Sequence, residues 1–209
     1  MEGERLNYSG NHFKVTDYAL HPTSLYRKRP AIYVGGESEP ARDLVAGHGD
    51  VWFINGQPLD DVAGLIADVA GRPRGSAAPL RFGLSAFVVA RETREQAQIA
   101  YERLLSLAAR DAPMKVIQKQ NTDPKVVMMQ TMQKTPRVGS NGGTAAGLVG
   151  SYDEVAARIE AFHAAGIELF MLQFQPFEAE MHRFALEVIP RVRARQSTGP
   201  TGEPARSLG

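Results

Sequence analysis

Residues 31–54 read AIYVGGESEPARDLVAGHGDVWFI, and this stretch decides the fold. Two short apolar runs, Ala31-Ile32-Tyr33-Val34 and Val51-Trp52-Phe53-Ile54, flank a polar stretch. Apolar runs this short, closed by Gly-Gly or Asn-Gly, read as buried strands. Between them Ser38 is a helix-capping residue and Pro40 suits a first helical turn, which turns Leu44 and Val45 toward the sheet. Strand, helix and strand in so short a length imply a parallel pair joined by a helical crossover.

The unit recurs outward from there. Asp60 is placed to cap a helix whose Val62, Leu65, Ile66 and Val69 fall at i, i+3, i+4 and i+7, one helical face. After the turn material GRPRGSAAP, Leu80 to Ala90 reads as a third strand. Thr93-Arg94-Glu95-Gln96 forms a capping box and opens a helix to about Ala109. A second box, Ser151-Tyr152-Asp153-Glu154, opens a helix with Val155, Ile159 and Phe162 as its apolar stripe and Gly166 at its end. Ile167 to Phe174 reads as the fourth strand, and a last helix over 177–193 is expected to bury Phe177, Met181, Phe184 and Val188. Four strand–helix units predict an α/β fold with a parallel sheet. A closed eight-stranded barrel takes about 250 residues, so four strands make a small open sheet or half of such a barrel.

Three segments fall outside the alternation. Residues 1–30 are a lead-in, with a turn at Ser9-Gly10-Asn11 and a short edge hairpin around His12 to Val15. Residues 110–147 mix proline, glycine and methionine, with a helical turn or two expected around Val126 to Met132. So long and weakly patterned a stretch within a compact domain is functional or disordered. Residues 196–209, QSTGPTGEPARSLG, read as a disordered tail, leaving 1–195 as one domain.

Composition excludes several chemistries. The 209 residues carry a formal net charge of +1, so no long-range field draws the chain to nucleic acid or an anionic membrane. Cysteine is absent, which removes disulfides, thiolate metal sites and a Cys nucleophile. The five histidines form no HxH or HxxxH pair, so no metal site is expected. No apolar run approaches the ~20 residues that span a bilayer, and the polar start MEGERLNYSGNHF does not read as a signal peptide, which points to the cytoplasm.

Chemistry concentrates at Gly35-Gly36-Glu37-Ser38, where the first buried strand meets its helix. Ligands in parallel α/β folds sit at the carboxyl ends of strands. Free N–H groups and the positive helix end make such a place an anion site. A tight turn with Ser38 as a cap accounts for the same residues. The pattern is neither GxGxxG nor a P-loop, so a Rossmann or kinase-like assignment has no support.

Three blocks resemble a known family when taken together. RPAIYVGGESEPARDLVAGHGDVWFINGQP, RFGLSAFVVARETREQA and GLVGSYDEVAARIEAFHAAGIELFMLQF resemble, in order and spacing, the second half of luciferase-like flavin-dependent monooxygenases. The alkanesulfonate and dimethyl sulfone monooxygenases are the branch they look like. The resemblance spans about residues 5–193. It implies strands five to eight of a TIM barrel, with 110–147 as the mobile insertion over the active site.

The resemblance also implies chemistry. Family members use reduced FMN from a separate NAD(P)H-dependent reductase, and O2 adds to it to give a peroxyflavin that oxygenates a small, often organosulfur, substrate. The cofactor carries the hard step while the protein positions it. Gly35, Gly36, Glu37 and Ser38 would grip the flavin phosphate, Glu37 through its main-chain N–H. The family's sulfonate-clamping Arg falls on Asn141, with Arg137 four residues earlier as a substitute, and Gln173 stands at the end of the last strand. The sulfonate enzymes carry smaller residues and a His in that stretch, and both departures make a neutral organosulfur compound, or another small molecule altogether, as fitting as a sulfonate. Catalytic residues are expected in the first four strands, which this chain does not include. The open edges of half a barrel point to a homo-oligomer or to pairing with the missing half. Competing readings are an oxidoreductase using the deazaflavin F420 and a non-catalytic half-barrel that binds a phosphate-bearing ligand. Elsewhere, Trp52 is expected in the strand core, Asn55 in a turn or facing the pocket, His163 at the surface and Met128, Met129 and Met132 in packing.

Overall fold

A computed structural model describes residues 4–23, 29–76, 78–110, 138–139 and 142–198. The chain divides into two units, Met1–Ile32 and Tyr33–Gly209. The first unit is the expected hairpin: β1 (Leu6–Ser9) runs antiparallel to β2 (Lys14–Tyr18), with Ser9 opposite Lys14 and Tyr8 opposite Val15. The pairing slips between Tyr8 and Leu6, where Asp17 takes a φ of 51° and its N–H donates to Asn7 Oδ1 at 2.9 Å.

The second unit is built on four parallel strands in the order β3 (Tyr33–Gly35), β4 (Val51–Asn55), β5 (Arg81–Phe87), β8 (Ile167–Gln173). The chain passes through α1 (Glu39–His48) between β3 and β4, and through α2 (Leu59–Ala70) between β4 and β5. This is the α/β alternation that the apolar runs predict. The cap of α2 falls two residues earlier than expected, at Pro58, so Asp60 lies within the first helical turn rather than capping it. There its charge still favours the helix, because carboxylates stabilise a positive helix end.

The third strand is not continuous to Ala90. It divides at Val88 into β5 and β6 (Val89–Arg91), because the ladder changes partner there. Val88 N donates to Gln173 O of β8, and Val89 N donates to Leu148 O, beside the short strand β7 (Val149–Ser151). β6 and β7 form a separate two-stranded parallel sheet. β7 has no counterpart in the sequence reading, since three residues ahead of a capping box carry no periodicity. α3 (Arg94–Ala109) and α4 (Tyr152–Ala164) begin at the predicted capping boxes of Thr93 with Gln96 and Ser151 with Glu154.

The last helix is longer than expected and buries Phe184 and Val188 as expected, but not Phe177 and Met181. It runs as α5 (Phe177–Arg183), a π-helical turn at Phe184–Val188 and α6 (Ile189–Thr198). Phe177 and Met181 are exposed, while Glu180, Phe184, Val188 and Val192 turn inward at spacings of four. Glu180 is drawn in by the Arg91 guanidinium, at 2.6 and 3.0 Å, and by Arg183.

A main core holds most of these pieces together, and a smaller cluster of Phe87, Val89 and Val138 packs against Tyr101, Leu104 and Leu105 of α3. Trp52, Ile54, Phe82, Leu84 and Ala86 point from one sheet face into Val45 of α1, Val62 and Val69 of α2, and Val155, Ile159 and Phe162 of α4. At about 25 cal/mol per Å² buried, side chains this size contribute about 1.5–3 kcal/mol each before entropy is counted. Period-2 alternation puts Tyr33, Phe53, Gly83, Ser85, Leu169, Met171 and Gln173 on the other face. There Tyr33 and Met171 stay 56 % and 46 % exposed. No helix among the described residues is long and apolar enough to cross a membrane.

Candidate functional site

The chain leaves β3 through Gly36, whose φ of 107° suits glycine alone. Three bonds fix the turn that follows. Trp52 Nε1 donates to Gly36 O at 2.9 Å, Arg42 Nε to Glu37 O at 2.9 Å, and Asn55 N to Glu37 Oε1 at 2.8 Å. In a trans peptide the C=O and the following N–H point opposite ways. Committing the carbonyls of Gly36 and Glu37 to Trp52 and Arg42 therefore turns the N–H groups of Glu37 and Ser38 outward. No described group accepts from the N–H of Glu37, Ser38 or Glu39.

Ser38 occupies the N-cap position of α1, yet its hydroxyl makes no capping bond. Caps serve the N–H of the second or third helical residue, and the second here is Pro40, which has none. The helix thus begins with unmet donors, an exposed hydroxyl and its positive end. Gly35 leaves open space, since a Cβ there would meet nothing within 4 Å. Donors, room and field all fit a phosphate group. Charge from side chains adds little: Arg42 and Arg72 are bound up with Glu39, Asp43 and Asp68 at 2.6–3.4 Å. The Arg72 guanidinium in turn holds the Asp68 carboxyl below its usual range.

Glu37 faces the other way. Its side chain is buried, 4 % exposed, with Oε2 unpartnered. Gln57 is as deeply buried beside it, and its Nε2 is also unpartnered. Burial pushes the Glu37 carboxyl above its ordinary value, against the pull of the Asn55 N–H and the Arg42 guanidinium.

Other predicted residues fall in distinct places. Gln173 ends β8 on the face opposite the helices, close enough to Gly139 that a Cβ there would lie 3.1 Å from Gln173 Oε1. Arg137 and Asn141 lie outside the described residues, as do Met128, Met129, Met132 and most of 110–147. Trp52 is fully buried, edge-on to Phe82. Asn55 ends β4 with its N–H on Glu37. His163 is exposed, its Nδ1 3.1 Å from Ile167 O.

One contact escaped sequence reasoning. A Cβ on Gly142, whose φ is 83°, would stand 2.0 Å from Gly56 O, and one on Gly56 would stand 3.1 Å from Gly143 O. The 3₁₀ turn Gly143–Ala146 therefore rests main chain on main chain against the end of β4. Asn55-Gly56 reads as an ordinary turn and Gly142-Gly143 as loop glycine, so only their pairing in space carries the meaning.

Comparison with known proteins places this architecture. The sulfoquinovose monooxygenase of Novosphingobium aromaticivorans is 31 % identical over 209 residues, covering 92 % of this chain and 57 % of its own length. The FMNH2-dependent dimethylsulfone monooxygenase of Pseudomonas putida is 26 % identical, covering 91 % and 54 %. DmoA from Hyphomicrobium sulfonivorans superposes with a TM-score of 0.63 at 20 % identity, over 90 % of this chain and 46 % of that one. The chain thus spans about half the length of the relatives it matches. Residues 1–169 match the luciferase-like monooxygenases, a span that holds the hairpin, the Gly-Gly turn and strands β3 to β5. With that match and the 31 % relative in agreement, the chain belongs to the luciferase-like monooxygenase family.

Proposed function

We propose that this chain forms the flavin-phosphate side of an FMNH2-dependent, two-component monooxygenase acting on a small organosulfur compound. The observation that carries this is the row of uncommitted N–H groups at Glu37, Ser38 and Glu39, at a strand end with the adjoining carbonyls turned away. Gly36 and Gly35 admit the phosphate, Glu37 and Ser38 donate main-chain N–H groups, and the Ser38 hydroxyl adds a donor. Reduced flavin, when bound, supplies the chemistry with O2, and a separate NAD(P)H-dependent reductase supplies the reduced flavin. The substrate class follows the relatives, one a dimethylsulfone monooxygenase and one a sulfoquinovose monooxygenase.

Four parallel strands with helices on one face, and Tyr33 and Met171 bare on the other, support a half-barrel corresponding to strands five to eight. Gln173, together with Arg137 and Asn141, is the substrate side. β3 and β8 end the four-stranded sheet, so the half-barrel completes itself with the remaining half or through self-association.

Titration with FMN, riboflavin and F420 tests the reading. FMN should bind tighter than riboflavin by about tenfold or more, the equivalent of one charge-assisted hydrogen bond. Ser38→Ala with Gly36→Val should erase that preference. Equal binding of FMN and riboflavin overturns the phosphate seat, and a preference for F420 over FMN overturns the cofactor. A reductase-coupled assay of the 209-residue chain should show no oxygenation above the reductase alone.

A further inference from the structure

Directly beneath the outward N–H groups lies a carboxyl group with one satisfied oxygen and one orphan. Glu37 Oε1 accepts from Asn55 N, a bond available whether the group is charged or neutral. Oε2 has no partner, and neither has Gln57 Nε2 beside it. The groups that face this carboxyl are few. α1 presents Arg42, which is shared with Glu39 and with Asp68 of α2. β4 and the turn after it present the neutral Asn55 and Gln57.

Resting on the phosphate seat described above, we propose that Glu37 makes ligand binding there proton-linked: when a phosphate-bearing ligand settles on the Glu37–Glu39 N–H groups, the Glu37 carboxylate takes a proton from solvent. A phosphate on the N–H of Glu37 stands one residue's span from a carboxylate that water reaches poorly, and a like charge so placed disfavours the ionised form. Protonation also gives the orphan Oε2 a role. The new Oε2–H is a donor, and rotating the Gln57 amide presents Oε1 as its acceptor. Burial already biases Glu37 toward the neutral form, so the added charge completes a shift that the fold has begun.

Glu37→Gln isolates the effect. It keeps an acceptor for Asn55 N and supplies an N–H donor toward Gln57, imitating the protonated acid without a titrating group. Calorimetry of FMN binding in buffers of different ionisation enthalpy, from about pH 6 to pH 8, counts protons taken up. FMN's own phosphate titrates alike in both proteins, so the difference belongs to Glu37. The wild type should take up more protons per FMN than the variant, and the variant should bind FMN about 3–10-fold tighter near neutral pH. Equal proton counts and equal affinities overturn the linkage while leaving an FMN-over-riboflavin preference intact. Absence of that preference in the wild type overturns the seat and the linkage together. Should the variant not fold, infrared difference spectra of the wild type with sulfate, a dianion that does not titrate here, decide the matter. Growth of a protonated-carboxyl band supports the linkage, and its absence overturns it.

Discussion

The indole N–H of Trp52, a residue with no exposed surface, donates to the carbonyl oxygen of Gly36 at 2.9 Å. That single bond orients the peptide whose other end is the N–H of Glu37. Trp52→Phe retains an aromatic ring against Phe82 but leaves the Gly36 carbonyl without its donor. Urea denaturation should show a loss of about 1–3 kcal/mol, and FMN affinity should fall with it. Unchanged FMN binding in a folded Trp52→Phe protein would separate the turn from the ligand.

Glu37 and Glu154 should act on stability in opposite senses with pH. Glu154 is held below the ordinary carboxyl range by the Ser151 N–H and then the Arg94 guanidinium, so its contribution is present above that range and fades as pH falls through its folded value. Glu37 is raised, so the native state holds its proton longer than the unfolded chain does. Stability from that group therefore declines as pH rises from the ordinary carboxyl value through the raised one. Unfolding midpoints measured across acid and neutral pH should show Glu37→Gln removing the decline and Glu154→Gln removing the acid loss.

The Arg91–Glu180 pair is the buried ion pair of the last helix, with side-chain exposures of 22 % and 8 %. Glu180→Ala leaves the Arg91 guanidinium partly buried without its carboxylate, a loss of about 2–4 kcal/mol. Arg91→Lys keeps the charge but not the two-pronged geometry and should recover only part of it. Paired denaturation curves check both, and a Glu180→Ala protein as stable as wild type would show the pair to be idle.

Two glycines should respond in opposite ways to alanine. At Gly142 the new Cβ meets Gly56 O at 2.0 Å under a φ of 83°, so Gly142→Ala should cost about 3 kcal/mol or more. At Gly64, within α2, a Cβ meets nothing within 4 Å. There Gly64→Ala should stabilise by about 0.5–1 kcal/mol through helix propensity. Thermal melts of the two variants provide the comparison.

Much of the scaffold is legible in local patterns, because the signals are local. The boxes at Thr93 and Ser151 act over three residues and mark their helices correctly. The face of Val62, Leu65, Ile66 and Val69 is a periodicity that burial simply completes. What local pattern cannot carry is choice of partner. The switch at Val88 depends on where Leu148 and Gln173 lie, both far along the chain. Phe177 looks like core by spacing, yet at that end of the helix it is Glu180, paired with Arg91, that is buried, while Phe184 and Val188 pack as expected. At the candidate site the Gly-Gly-Glu-Ser run is visible as a strand-to-helix junction. The inward turn of the Glu37 carboxyl is not, since it depends on Asn55 and Gln57 meeting it in space.

The meeting of Gly56 with Gly142 has a consequence for engineering. An anchor made of backbone alone is indifferent to the identity of the neighbouring side chains, provided both positions stay bare. Segments ending at Gly142 could then be exchanged among relatives of differing substrate preference without redesigning the sheet beneath. Chimeras that carry the glycine pair should express and melt like the parent, while those that break it should fail whatever else they preserve.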